Sequence, residues 1–279
     1  VGVETAVLTH GVPREQAADL ARDLAETARR AGSQAAFIGL VAGVPTVGLT
    51  DAELRLLLEQ PSPPKANTSN LGWFIHQGAH AATTVSTTLE LAASAGLTVC
   101  ATGGLGGVHK NLARRIDISA DLGALTRFPV ALVTSGCKSI LDVESTRELL
   151  ETLGVTVVGY RTDRFPAFYR RESDADVDAR IDDARALAAF VRRELSRTGR
   201  AIVIANPIPA DAELAQEDLQ AWLSQAQAEA RATGRQVTPE ILGRLHQASH
   251  FATVRANVAL IRSNVSLAAE LASWWSRSV

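Results

Sequence analysis

Lysine is nearly missing from this 279-residue chain: of 28 basic residues only Lys65, Lys110 and Lys138 are lysines, and arginine fills the other positions. Arginine serves wherever only charge is needed, but a guanidinium cannot lose its proton and attack a carbonyl, whereas a lysine amine can. The three survivors are therefore the first places to look for chemistry. Cysteine is equally scarce. Cys100 and Cys137 sit in the apolar runs LTVCATGG and VTSGCKS, which fits buried free thiols better than a disulfide and predicts a reducing, cytoplasmic setting. No long hydrophobic run exists. The most apolar stretch, 35–49, is cut by glycines and a proline, too short and broken to span a bilayer. The opening VGVETAVLTHG reads as a strand, without a signal-peptide pattern. A net charge of −2 without a basic patch or tail argues against nucleic-acid and membrane-surface partners.

What is present is ordinary globular material, 46% hydrophobic and 21% charged, enough for a sizeable core in one domain spanning 1–279. Apolar strands predicted at 3–9, 35–41, 98–102, 129–134, 155–158 and 201–205 alternate with amphipathic helices. The helices are predicted at about 14–31, 51–60, 82–95, 139–153, 178–198, 211–234, 237–247 and 255–276. That alternation predicts a layered α/β fold with a largely parallel sheet. No internal repeat is visible. The segment 60–70, QPSPPKANTSN, reads either as a linker or as an active-site loop.

Ligands of open α/β sheets bind beyond the carboxyl ends of the strands, so the loops after the strands hold the candidates. In ATGGLGGVHK, 101–110, four glycines allow close backbone approach, yet neither GxGxxG nor GK[ST] is present. It is a tight turn or an anion site, and His109 and Lys110 favour the anion. In DISADL, 117–122, Asp117, Ser119 and Asp121 share one face if extended. They suit a hard divalent ion, or Ser119 or Asp121 caps the following helix. In VALVTSGCKSILD, Lys138 falls where the next helix is predicted to start. The dipole there disfavours the ammonium and favours a nucleophilic neutral amine. Glu4, a carboxylate in an apolar strand, is either a general acid/base or a solvent-facing edge residue. Thr84 and Val85 lie at a helix start whose N–H groups suit a phosphate, or are an ordinary cap. Asn206 and Asn257 carry no signal alone.

The motifs ET…THG, ATGGLGGVH, DISADL, GCKSILD, GY before FPAFY, ANPIP and RAN…SNVSLAAELA run in this order from about residue 3 to 276. Together they resemble the pseudouridine-5′-phosphate glycosidases, also called the indigoidine synthase A family. The resemblance implies a three-layer α/β/α fold, a homotrimer, and a Mn²⁺-dependent enzyme that exchanges the C–C bond between C1′ of ribose 5-phosphate and uracil through a lysine imine. It implies Lys138 as the nucleophile, Glu4 as acid/base, Asp117 as metal ligand and Asp121 as the carboxylate assisting the lysine. Lys65, Val85, His109 and Ser119 match substrate and phosphate contacts, and Asn257 a late active-site asparagine. Lys110 matches no role. The chemistry is coherent: a C-glycoside has no leaving oxygen to protonate, so the two-carboxylate route of ordinary glycosidases fails and an imine supplies the electron sink. Two departures stand out. ANTSNLGW, 66–73, replaces an R/H-R-D-L-P segment, and His80-Ala81 replaces a pair ending in glycine. These changes predict a pocket shaped by Trp73, His76 or His80 for a larger aromatic aglycone. They lean the expectation toward C-ribosylation of an aromatic acceptor, resembling a C-ribosylating relative in alnumycin biosynthesis, over pseudouridine-5′-phosphate breakdown. A Schiff-base sugar-phosphate aldolase or isomerase and a non-catalytic small-molecule binder are the alternatives.

Overall fold

The computed structural model describes residues 1–110, 116–229 and 237–276. The chain opens with β1 (Gly2–Glu4), α1 (Ala6–His10), α2 (Arg14–Arg30), β2 (Ala36–Val41), β3 (Val44–Val47), α3 (Asp51–Glu59), β4 (Lys65–Ala66), α4 (Leu71–His76), β5 (Ala81–Thr83) and α5 (Val85–Ser94). It continues with β6 (Val99–Ala101), β7 (Val108–His109), α6 (Ala120–Leu125), β8 (Ala131–Thr134), β9 (Leu141–Asp142), α7 (Val143–Thr152) and β10 (Val157–Tyr160). It closes with β11 (Ala179–Ile181), α8 (Ala184–Thr198), β12 (Ile202–Ala205), α9 (Gln216–Glu229), α10 (Val237–Ala248) and α11 (Ala252–Ser276).

Ten strands form one sheet in the order β11-β10-β12-β8-β6-β1-β2-β5-β4, with β3 paired to β2. From β11 to β2 every pairing is parallel; only β2–β3 and β2–β5 are antiparallel. Buried parallel strands must be apolar on both faces, and these are. In β12, Ile202 and Ile204 enter one core while Val203 and Ala205 enter the other. The first core takes α2, α8 and α11, and the second takes α5, α6 and α7. The result is the expected three-layer α/β/α sandwich. Helix α2 shows why the pattern was legible: Ala17, Leu20, Ala21, Leu24 and Ala28 recur at helical spacing and are its buried residues. Cys100 and Cys137 are free and buried, and burial pushes both thiols up to about 12. Among the described residues no helix is long and apolar enough to cross a membrane.

Several predicted elements change where short apolar runs are ambiguous. The strand predicted over 3–9 ends at Glu4, and Ala6–His10 is helical. Val7 and Leu8 bury equally well in either conformation, so periodicity over so few residues does not decide. The 60–70 segment is no linker: Lys65 and Ala66 pair with β5, and Asn67 Oδ1 accepts from the backbone N–H of Ser69 and Asn70. The helices predicted from 82 and 178 each begin as a strand, β5 and β11. The helix predicted from 139 begins at Val143, capped by Asp142. The end of the helix predicted over 211–234 lies outside the described residues.

Candidate active site

Three parallel strands deliver the site from their carboxyl ends. Glu4 ends β1, the Gly103–Gly104 turn follows β6, and Lys138 lies in the loop after β8. One pocket is lined by Glu4, Lys65, Lys138, His10, His246 and Asn257, with Gly103 and Gly104 forming a backbone wall. Two of the chain's three lysines thus meet one carboxylate in a single pocket.

The glycines are required by crowding. A Cβ on Gly104 would collide with the Phe168 ring, 2.6 Å from its Cε2, and lie 3.2 Å from Lys138 Cγ; one on Gly106 would lie 2.6 Å from Asp121 Oδ2. The Lys138 loop is pinned on both sides. The Lys138 N–H donates to Leu105 O at 3.2 Å, and Ser139 Oγ donates to Ala167 O at 2.8 Å. Phe168, at φ 63, is a non-glycine residue in the left-handed region, held by its N–H to Ser135 O at 2.9 Å. Such strain persists where surrounding structure over-determines it, often beside a site.

Burial dominates the electrostatics. Glu4 is only 4% exposed, and desolvation raises its pKa despite opposition from Lys138 and a hydrogen bond from Thr102 Oγ1. It therefore holds a proton above the usual carboxylate range and can donate it. Desolvation, reinforced by the Lys138 charge, lowers Lys65 from 10.5 to about 8. His10 is pushed down to about 3 by burial, then by Lys65 and Lys138, so its ring is neutral at physiological pH.

The expected residues fall into groups. Glu4, Lys65, Lys138 and Asn257 converge on the pocket. Asp121 sits beside it, bridging the start of α5 and the glycine loop: Oδ1 accepts from Ser86 N at 2.9 Å and Oδ2 from Gly106 N at 3.0 Å. Its charge reaches Glu4 and Lys65. Ser119 caps α6, accepting from Asp121 N at 3.2 Å, so the capping role read from DISADL is real. His109 lies in β7 with its N–H on Asp117 O at 3.0 Å. Val85 is buried, and Thr84 donates its hydroxyl to Ala66 O at 3.2 Å. The α5 N-terminus offers fewer N–H groups to a phosphate than expected, because Asp121 takes that of Ser86.

Two expectations are corrected. Lys138 precedes α7 by a whole turn and a short strand, so the helix dipole does not act on it as expected; the dipole falls off within the first turn. Trp73 and His76 are exposed on α4, their rings 5.8 Å apart, and His80 accepts from Ala42 N at 3.3 Å; none lines the Lys138 pocket. The altered 66–73 segment builds the β4 edge and α4 instead of a wall over the lysine. Asp117 is exposed, and the described residues hold no group of three or more His, Cys, Asp or Glu that would ligate a metal. This donor set suits a cation only where one carboxylate shares it with substrate oxygens, as hard divalent ions accept.

Sequence reasoning missed Asn264. Fully buried on α11, its Nδ2 donates to Thr102 O at 2.8 Å and to Ser135 Oγ at 3.1 Å, while its Oδ1 accepts from Asn206 Nδ2 at 2.9 Å. It ties together the loops that follow β6, β8 and β12. Its signal was its place in the SNVSLAAELA motif, a polar residue on a helix otherwise packed into the core. His246 was also missed.

The chain matches the family described as indigoidine synthase A like protein over residues 1–274. It is 41% identical over 276 residues to a pseudouridine-5′-phosphate glycosidase of Dinoroseobacter shibae, covering 98% of this chain and 90% of that one. It is 43% identical over 279 residues to the enzyme of the same name from Salinispora tropica, covering 98% and 86%. Among solved structures it superposes on an indigoidine synthase A-like protein from Thermotoga maritima with TM-score 0.90 and 37% identity, covering 98% and 91%. It superposes equally well, at TM-score 0.90 and 31% identity over 99% and 91%, on the prealnumycin C-glycosynthase AlnA in complex with ribulose 5-phosphate. The chain belongs to the indigoidine synthase A-like family of enzymes.

Proposed function

We propose that this enzyme cleaves the C-glycosidic bond of pseudouridine 5′-phosphate, releasing uracil and ribose 5-phosphate. The observation that carries it is the meeting of Lys138, Lys65 and protonatable Glu4 in one pocket at the carboxyl ends of β1, β6 and β8. Relatives named for this activity are 38–43% identical, against 31% for the C-glycosynthase, which favours cleavage over the synthetic direction expected from the 66–73 segment. Trp73, His76 and His80 are also not among the residues that line the Lys138 pocket.

In the proposed sequence the ribose ring opens with Glu4 protonating the departing O4′. The Lys138 amine, in its neutral form, adds to C1′ as the C1′–O4′ bond breaks and passes a proton to the Glu4 carboxylate. The C1′–C5 bond then breaks, its electron pair passing to C5 of uracil, which takes a proton, while the nitrogen lone pair forms C1′=N. Water hydrolyses the imine and returns the amine. Burial around Glu4 keeps its proton available, and the positive charge of Lys65 attracts the phosphate-bearing substrate. Asp121 fixes the Gly106 loop against α5. A divalent cation, if held by Asp117, would screen phosphate charge. The reverse reaction, C-ribosylation of an aromatic acceptor, is the second reading, favoured by the likeness to the C-glycosynthase. Assembly as a trimer belongs to the same proposal and is read directly by light scattering.

A chromatographic assay with pseudouridine 5′-phosphate, Mn²⁺ and a Lys138→Ala control tests the reading. Uracil and ribose 5-phosphate from wild type alone support it. No uracil, with an aromatic acceptor consumed together with ribose 5-phosphate, establishes the synthetic direction instead.

A further inference from the structure

A second chamber of about 310 Å³ opens beside the lysine pocket, and the chemistry above leaves it unused. The two cavities share His10, Lys65 and His246. Val12 and Pro13, after α1, and Phe251, after α10, give the second chamber apolar walls.

Two buried polar atoms at this junction have no hydrogen-bond partner: His246 Nε2 and Asn257 Oδ1. Buried polar atoms are almost always paired and leaving one unpaired is costly, so each asks for a ligand or an ordered water. Both are held in place by their other ends. Asn257 Nδ2 donates to Gly11 O at 2.6 Å, which leaves Oδ1 near Gly103, where a Cβ would lie 3.2 Å away. His246 Nδ1 lies 2.9 Å from Thr253 Oγ1. That hydroxyl contacts Ser249 Oγ at 2.8 Å and bonds the Tyr169 hydroxyl. The ring is thereby oriented with Nε2 as its open position. Burial lowers the pKa of His246, so the ring is neutral and offers one polar group without charge.

The turn that places Phe251 is strained. His250 and Phe251 adopt φ 46 and φ 62, and left-handed backbone costs a non-glycine residue about 1–2 kcal/mol. Phe251 N donates to His246 O at 2.9 Å, so one turn fixes both the aromatic wall and the histidine. Strain of this kind gathers at ligand clamps.

We propose that this chamber receives the aglycone, a flat aromatic or heteroaromatic ring with carbonyl or N–H groups on its edge, and that His246 is a specificity-determining residue that hydrogen-bonds this edge through Nε2. The assignment rests on the proposed function, because a C-glycoside needs an aglycone subsite next to Lys138. It moves that subsite from the α4 surface to the cleft between α1 and α10.

The test uses the catalytically silenced Lys138→Ala enzyme, with and without His246→Ala or His246→Gln. Each is titrated calorimetrically with pseudouridine 5′-phosphate and, separately, with ribose 5-phosphate. The proposal expects His246→Ala to weaken pseudouridine 5′-phosphate binding at least about tenfold, as expected for a lost buried hydrogen bond. It expects ribose 5-phosphate affinity to stay within about twofold, and His246→Gln to restore part of the loss. Unchanged affinity for both ligands, or an equal loss for both, overturns it. Absence of a borohydride-trapped ribose 5-phosphate adduct on the wild-type enzyme removes the underlying reaction, and the proposal with it, through a signal independent of His246.

Discussion

Replacing Lys65 by methionine should make the protein more stable and less active at once. The charged Lys65 is penalised by burial and by the nearby Lys138 ammonium, which together bring its pKa from 10.5 to about 8. That gap corresponds to about 3 kcal/mol disfavouring the charged form, an upper bound for a site whose carboxylate neighbours also rearrange. Between the two values the unfolded chain holds its proton while the folded chain has released it. The unfolded state therefore binds more protons there, and wild-type stability rises as pH climbs from about 8 to 10.5. Below about 8 the full penalty is present. Methionine keeps the apolar stem and removes the charge, so Lys65→Met should gain about 1–3 kcal/mol at pH 7, and the advantage should vanish toward pH 10.5. Urea denaturation followed by circular dichroism at four pH values reads the effect. Turnover of pseudouridine 5′-phosphate should fall by at least about tenfold with the loss of that cation. Parallel stability–pH profiles for variant and wild type, or a variant less stable at pH 7, would refute the reasoning.

Other outcomes follow from the same geometry. Glu4→Gln keeps a partner for Thr102 but removes the proton donor, so turnover should drop about 10²-fold or more with the fold intact by circular dichroism; activity within threefold counts against an acid role. Asn264→Ala leaves the carbonyl of Thr102 without its partner and takes one of two acceptors from Asn206 Nδ2, and should cost about 2–4 kcal/mol in urea denaturation. A loss below about 0.5 kcal/mol would mean that the three loops are tied elsewhere. EDTA should lower turnover and Mn²⁺ restore it, with Asp117→Asn blunting the restoration; full activity in EDTA contradicts a cation at Asp117.

The sheet and its helices were legible because burial writes its own period: two-faced strands such as Val99–Ala101 and Ile202–Ala205 are continuously apolar, and α2 repeats at helical spacing. Lys65 and Lys138, singled out because the chain otherwise uses arginine, do meet in one pocket, while Lys110 lies outside it. What escaped was contact between distant segments. The α4 residues Trp73 and His76 follow Lys65 closely in sequence and were expected beside it, but the helix carries their rings into solvent. His246 lies far in sequence from Glu4, His10, Lys65 and Lys138, and only the packing of α10 beside α1 brings it to His10 and Lys65. Asp121 was recognised as a site residue, but its two backbone partners, Ser86 and Gly106, depend on a loop approach that no local spacing encodes.

The central claim is that Lys138 forms an imine with C1′ of ribose 5-phosphate. Borohydride reduction of the enzyme with ribose 5-phosphate, followed by peptide mass spectrometry, tests it most directly. The account predicts a reduced pentose phosphate adduct on the peptide containing Lys138, and none on Lys138→Ala. An adduct on Lys65 or Lys110 alone, or none on the wild-type enzyme, would contradict it.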